Sequence, residues 1–319
     1  MQESNSLRSG GVTAGTGGTT YDSAWTRLLG AFRPYDVLSV MFLVIVGGLL
    51  LAFRRNVERW YAYAVVHLLL AALIVGIVML AERHRLRILT VFRDVYPFLL
   101  LFFLFEEMER LTHLLFPGWK NHLLIAADRF LFGVHPTVWL EGVKSPSLTE
   151  VVELAYFSYY VLLPVGGLLL YLFAPRDSFR GTLTAVALAF YLCFLGYVLL
   201  PAEGPWRSLA HLRTVDMGGS FFRQIVSVIQ RSGGIVGGCF PSAHVSAVCA
   251  AVTSFFFFRR SLFYLLLPYT AILAFATVYG WYHYAVDSLA GVAVGFLAGV
   301  LAVRMSARWP RSLRSAREG

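Results

Sequence analysis

Charge is scarce in this chain. Asp, Glu, Lys and Arg make up 14% of its 319 residues, where a soluble domain carries about 25%. That shortage argues against a water-soluble enzyme or a nucleic-acid-binding protein. Cysteine is scarce too: Cys193, Cys239 and Cys249 form no motif, two of them lie inside apolar runs, and no disulfide framework is indicated. The positive charge is almost wholly arginine. The first twenty residues lack any apolar stretch and are rich in Gly, Ser and Thr, which reads as a disordered tail and not a cleavable signal.

What fills the chain instead is hydrocarbon. Hydrophobic residues reach 58% and the mean hydropathy is +0.66, values of an integral membrane protein. Runs long enough to cross roughly 30 Å of lipid recur at about 36–53, 60–81, 94–116, 147–173, 181–201, 241–258, 261–280 and 281–305. The expected fold is therefore all-α, a polytopic bundle of about eight spans. The third run carries Glu106, Glu107, Glu109 and Arg110, so that face must point into the bundle or lie near a membrane surface. Residues 121–140 alternate apolar side chains with Asp128, Arg129 and His135, the pattern of an amphipathic segment in the interface. Residues 202–240, broken by glycines, read as a long functional loop.

The formal charge of +9 orients the bundle. Over eight spans, sixteen Lys and Arg fall on the side of both ends and ten on the other, which places the ends in the cytoplasm. The margin narrows only because the 202–240 loop is itself rich in arginine.

Two segments carry chemistry. Gly237-Gly238-Cys239-Phe240-Pro241-Ser242-Ala243-His244 opens the sixth span. Pro suits the first helical position, the glycines allow a tight turn, and the free N–H groups of a helix start attract an anion. Ser242 adds a hydroxyl donor, Gly238 and Cys239 supply backbone, and His244 falls in the first turn beside that anion. Taken alone, the segment is also a plain Pro-capped helix start. His283 and Asp287, four apart at the head of the last span, share a helix face. The carboxylate can fix one imidazole tautomer and leave the other nitrogen as nucleophile or base. A pair that merely locks two helices is the structural alternative. Gly291, Gly295 and Gly299 continue that face as a small-residue stripe along which a second helix can approach.

A weaker segment, Glu203-Gly204-Pro205-Trp206-Arg207, offers Arg207 as a phosphate clamp. Tyr282 lies next to His283, and Tyr282, Tyr284, Trp206 and Trp281 form an expected aromatic interface belt. Topology brings the three segments to one membrane face, the extracytoplasmic one by the charge count. Two histidines and an anion-binding helix start fit phosphoryl transfer without a metal or cofactor. Two histidines and a carboxylate holding a metal rank lower, for want of a third clear ligand.

Pro241-Ser242-Ala243-His244 followed 39 positions later by His283-x-x-x-Asp287 resembles the type 2 phosphatidic acid phosphatase superfamily, over about residues 94–305. The family's six-helix core carries Lys-x6-Arg-Pro, Pro-Ser-Gly-His and Ser-Arg-x5-His-x3-Asp motifs. The resemblance implies that His283 takes the phosphoryl group, Asp287 orients it, and His244 protonates the leaving oxygen before activating the acceptor. It implies a tail over 1–30, two added helices over 31–93, a catalytic core over 94–305 and a basic tail over 306–319. It departs from the family pattern at Ala276 and Thr277, where Ser-Arg would fall, and in lacking the first-motif Lys, with only Arg207 nearby. These departures, with residues 132–140 and Tyr282-His283-Tyr284, are more similar to the inositolphosphorylceramide-synthase branch, which transfers phosphorylated head groups between lipids. The expected partners are a membrane lipid phosphate and a lipid or water acceptor, in a bacterial inner membrane. A lipid-binding or transport protein that kept a phosphate pocket is the non-enzymatic alternative; internal repeats, which would favour a transporter, are absent from the sequence.

Overall fold

A computed structural model describes residues 30–84, 86–215 and 221–309. The expected tails, but for Gly30 at one end and residues 306–309 at the other, lie outside these. The described chain is helical, with one isolated parallel bridge between Ala202 and Gly238. Its longer helices are α1 (Pro34–Ala52), α2 (Trp60–His84), α3 (Arg87–Leu111), α4 (Asn121–Phe132), α5 (Pro146–Phe173), α6 (Arg176–Leu199), α7 (Phe221–Gly233), α8 (Ala243–Phe258), α9 (Arg260–Tyr279) and α10 (Ala285–Arg308).

Seven of these, α1, α2, α3, α5, α6, α9 and α10, are long and apolar enough to cross a membrane. The protein is an integral membrane helix bundle. An eighth apolar helix, α8, has 16 residues, fewer than the about 20 that span a bilayer unaided. Each expected span thus has its helix. The last begins at Ala285 and not Trp281, because Gly280–Tyr284 is a turn.

The segment after α3 returns to the layer it left. Its α4 and the turn Pro136–Val143 are bent from each other by 63°. At one end, Asn121 bonds Glu203 beyond α6; just past the other, Thr149 bonds Tyr279 at the end of α9. Both ends sit at one face, an arrangement shared by interfacial and re-entrant segments. The 202–240 loop differs from expectation by containing α7, whose Phe222, Val226 and Ile229 recur at helical spacing and bury Val226.

At the centre, α6, α8 and α10 meet through Ala185, Ala189, Ala250, Ala298 and Ala302. The glycine stripe of α10 faces α8 so closely that a Cβ on Gly295 would lie 2.4 Å from the Ser246 carbonyl oxygen. Only hydrogen fits there.

Charges inside the bundle are paired, as the cost of burying them requires. At the face opposite the histidines, Asp36 of α1 accepts from Arg93 Nε at 3.0 Å and Tyr96 Oη at 2.8 Å of α3. Arg33 pairs with Asp94 beside them. Glu107 points inward and meets His67 Nε2 at 2.8 Å, while Glu106, Glu109 and Arg110 are exposed near the end of α3. Trp309 Nε1 donates to the Phe32 carbonyl at 2.7 Å, so both edges of the described chain lie at one face. An even number of crossings follows.

Candidate active site

The start of α8 is built by close packing. Ser242, not Pro241, is the N-cap: its Oγ accepts from Val245 N, and Pro241 stands outside the helix. Gly237 lies in a turn, as expected, although neither it nor Gly238 has a positive φ. They are small because a Cβ on Gly237 would strike Thr112 at 2.3 Å, and one on Gly238 would strike Ile235 at 2.4 Å. The α3–α4 connection thereby braces the strand of chain that leads into Ser242.

His244 falls in the first turn of α8 within a cage of tyrosines from α5. Its Nε2 is 3.2 Å from Tyr156 Oη and 3.3 Å from Tyr160 Oη, and the Tyr159 ring lies 4.6 Å away between centroids. The i, i+3, i+4 spacing of Tyr156, Tyr159 and Tyr160 puts all three on one face. That spacing is visible in the sequence, although only the structure connects it to His244.

The head of α10 holds the other half. Tyr282 N and His283 N both donate to the Thr277 carbonyl, at 2.9 and 3.0 Å. Thr277 and Ala276, where the family motif has Ser-Arg, serve here as buried supports of this turn. Trp281 has φ +67° and is buried, an uncommon conformation for a bulky residue. Its carbonyl accepts from Trp206 N at 3.0 Å. Trp281, Tyr282 and Tyr284 are all buried, so the expected lipid-facing belt keeps only Trp206 exposed.

His283 Nδ1 lies 3.5 Å from Asp287 Oδ2, a loose approach of the kind that often tightens with substrate. The same carboxylate oxygen accepts from Tyr284 N at 3.0 Å and from the Cys239 thiol at 2.7 Å. Asp287 is fully buried, and its backbone oxygen receives Ser242 N at 3.2 Å, which joins the starts of α8 and α10. The His244 and His283 rings, from separate helices, stand 5.9 Å apart between centroids.

Asp128 of α4, absent from the sequence-level candidates, seals the start of α10. Its carboxylate accepts Ala285 N at 3.2 Å and Val286 N at 2.9 Å, the bonds an N-terminal anion makes. Burial pushes its carboxyl up to about 6 against the pull of these two N–H groups.

Cations ring the turn. Lys144 Nζ lies 5.5 Å from the Trp281 ring centroid and 4.0 Å from Glu141. Arg213 stands 6.0 Å from the same ring. Arg223 of α7 bonds Glu153 at 3.0 Å and the Tyr282 hydroxyl at 2.5 Å. Burial draws the Lys144 ammonium down to about 8, with Glu141 opposing and Arg213 and Arg223 adding to the shift. Arg207 is half-exposed on the rim, 3.3 Å from Glu203. The cations nearest the turn are thus ones the sequence motifs did not single out.

Cys239, His283 and Asp287 offer ligand atoms within 4.8 Å of one another. Zinc at its usual bond lengths holds tetrahedral sulfur and oxygen ligands about 3.5 Å apart. The 2.7 Å between Sγ and Oδ2 is instead a hydrogen bond, so the three as placed do not fit a metal.

Paired histidines at two helix starts, a buried carboxylate behind one of them and flanking cations inside a membrane bundle define a phosphoester-handling class of membrane protein. Residues 122–301 match the PAP2 superfamily, and the chain belongs to that superfamily. It is therefore a lipid enzyme of the phosphatase and phosphotransferase type. No curated protein and no solved structure matches it.

Proposed function

We propose that the protein transfers a phosphoryl or phosphorylated head group from a membrane lipid through a phosphohistidine on His283. The observation that carries this is the meeting of His244 and His283 from different helices, 5.9 Å between ring centroids, close enough for both imidazoles to act on one phosphoester. Asp287 holds Nδ1–H, and Nε2 of His283 attacks phosphorus. The bond from phosphorus to the leaving oxygen breaks, and that oxygen takes a proton from His244. His244 then removes the proton of the acceptor hydroxyl, whose oxygen attacks phosphorus and frees His283. Ser242, Gly238 and Cys239 stand at the start of α8, with Tyr282 buried against Tyr156 of the cage and Arg207 at the rim.

A phosphodiester is the favoured donor. The site lacks the first-motif Lys and has Thr277 where the family motif has Arg, while Lys144 is paired with Glu141 and Arg223 with Glu153. A site with fewer cations suits a diester of about −1 better than a monoester of about −1.5 to −2, which supports head-group transfer as in the inositolphosphorylceramide-synthase branch. In this reading the site lies on the extracytoplasmic side and both chain ends in the cytoplasm, in a bacterial inner membrane; the excess of Lys and Arg on the face of the chain ends supports the orientation.

The test is incubation of reconstituted protein with labelled lipid phosphoesters, with products identified by mass spectrometry and acid-labile label sought on His283. His283→Ala and His244→Ala are expected to lower turnover by about 10³-fold or more with detergent-extracted size unchanged. Normal turnover by both variants would overturn the assignment. Release of inorganic phosphate from a monoester with no transfer would replace the diester reading by a phosphatase. Saturable binding without turnover by the unmodified protein would favour a lipid-binding protein.

A further inference from the structure

An apolar cavity of about 160 Å³ lies between α3, α5, α6, α8 and α9. Val248, Val252 and Phe255 line it from α8, and Leu163, Gly166 and Gly167 from α5. Val248 is one helical turn beyond His244. Leu163 is one turn beyond Tyr159 and Tyr160, whose side chains meet His244. At 1.5 Å per residue, the α8 wall of the cavity runs from about 6 Å to about 16 Å below that histidine. The α8 and α5 walls of the cavity thus begin one turn below the catalytic cage and run on into the hydrocarbon layer.

Its chemistry selects the occupant. The polar groups at its edge already have partners: Tyr269 Oη receives the Ser158 hydroxyl at 2.9 Å, and Thr182 meets Ser254 at 2.8 Å. Nothing there asks for water or a polar ligand. A dry apolar cavity of about 150 Å³ holds one benzene molecule, so this one takes on the order of six carbons. The wall is open at one defined place. A Cβ on Gly166 meets no atom within 4 Å, whereas one on Gly167 would lie 3.1 Å from the Phe98 ring. Above the glycines, Pro164 has no N–H for the Tyr160 carbonyl, which weakens α5 between the cage and the cavity.

We propose that this cavity holds a stretch of one hydrocarbon chain of the lipid whose phosphorus sits between the two histidines, and that Gly166 sets which chain lengths are accepted. The proposal rests on the catalytic reading of His244 and His283. A short chain would react without reaching the cavity. A chain extending beyond about 6 Å from the phosphate gains packing contacts there.

The experiment measures kcat/KM for lipid phosphoesters of one head group and increasing chain length. In the unmodified protein, kcat/KM rises once the chain reaches the cavity. In Gly166→Leu the side chain occupies that space, and the ratio of long-chain to short-chain kcat/KM falls by about threefold or more, from the packing contacts the chain loses there. Leu favours a helix more than Gly does, so α5 should form; Val252→Phe fills the same space from α8 if it does not. Leu168→Trp, on the exposed side of α5, keeps the unmodified ratio. An unchanged ratio in both filling variants would overturn the proposal.

Failure of the catalytic reading is separable by photolabelling. In His283→Ala, a lipid phosphate carrying a diazirine in mid-chain is expected to label the cavity residues of α5 and α8, and a long-chain lipid phosphate should displace it better than a short one. Label spread over the exposed faces of α5, undiminished by competitor, would identify bulk lipid as the occupant and sink the chain subsite whatever the histidines do.

Discussion

Lys144 is the residue whose placement has the sharpest chemical consequence. A lysine drawn down to about 8 by burial is charged at neutral pH and loses its proton as pH rises through that value. Its attraction for an anionic substrate is lost in the same window, so KM should climb by about tenfold above pH 8, the worth of one hydrogen bond to a charged group. Lys144→Arg, which stays protonated, should flatten that limb. Identical KM profiles for the two proteins would show that Lys144 does not meet substrate. For stability the sign is opposite: between about 8 and 10.5 the unfolded chain binds the proton more tightly, so folding gains as pH rises there. The sequence made His244, His283 and Asp287 legible because family motif and helical spacing coincide. It could not reveal Lys144, Arg223 or Asp128. They reach the site from the α4–α5 connection, α7 and α4, and no local spacing ties those segments to the head of α10.

Among the elements, α8 and α10 are the pair on which the site's geometry hangs, since Ser242 and Asp287 join their first turns directly. Gly295→Val would force the helices apart, because even a Cβ there comes within 2.4 Å of Ser246 oxygen and 2.6 Å of Cys249. An overpacking cost of about 1–3 kcal/mol is expected, read as a lower melting temperature in detergent, with activity falling further than stability as the imidazoles separate. Activity retained in full at a lowered melting temperature would mean that the stripe supports the fold and not the site. The spans were readable from apolar run length, and the stripe from its four-residue period. The missed helix, α7, is short and lies among glycines, where run length gives no signal and only the recurrence of Phe222, Val226 and Ile229 marks it. Gly237 lies in the turn that the sequence leads one to expect, but the smallness of the two glycines also answers to close neighbours: Ile235, three residues before Gly238, and Thr112, which only folding brings near Gly237.

Across the whole molecule, the two faces of the bundle do different work. One carries the histidines and their cations. The other is tied by Asp36, Arg93, Arg33 and Asp94, which connect α1 to α3, with Arg180 of α6 3.8 Å from Asp94. Breaking a buried pair leaves its partner charge stranded, at about 3–5 kcal/mol. Asp36→Ala is therefore expected to lower thermal stability strongly while leaving the histidine geometry intact in whatever fraction folds. Specific activity per folded molecule, counted by size exclusion, checks this; a drop in that quantity would mean that α1 reaches the chemistry after all.

The bond from Trp309 to Phe32 has a practical corollary. A few residues of linker would join those two positions, and the chain can as readily be opened at the exposed Arg54–Asn56 turn. Such a permuted protein would start with the second helix, finish with the first, and present the same pocket to the same leaflet.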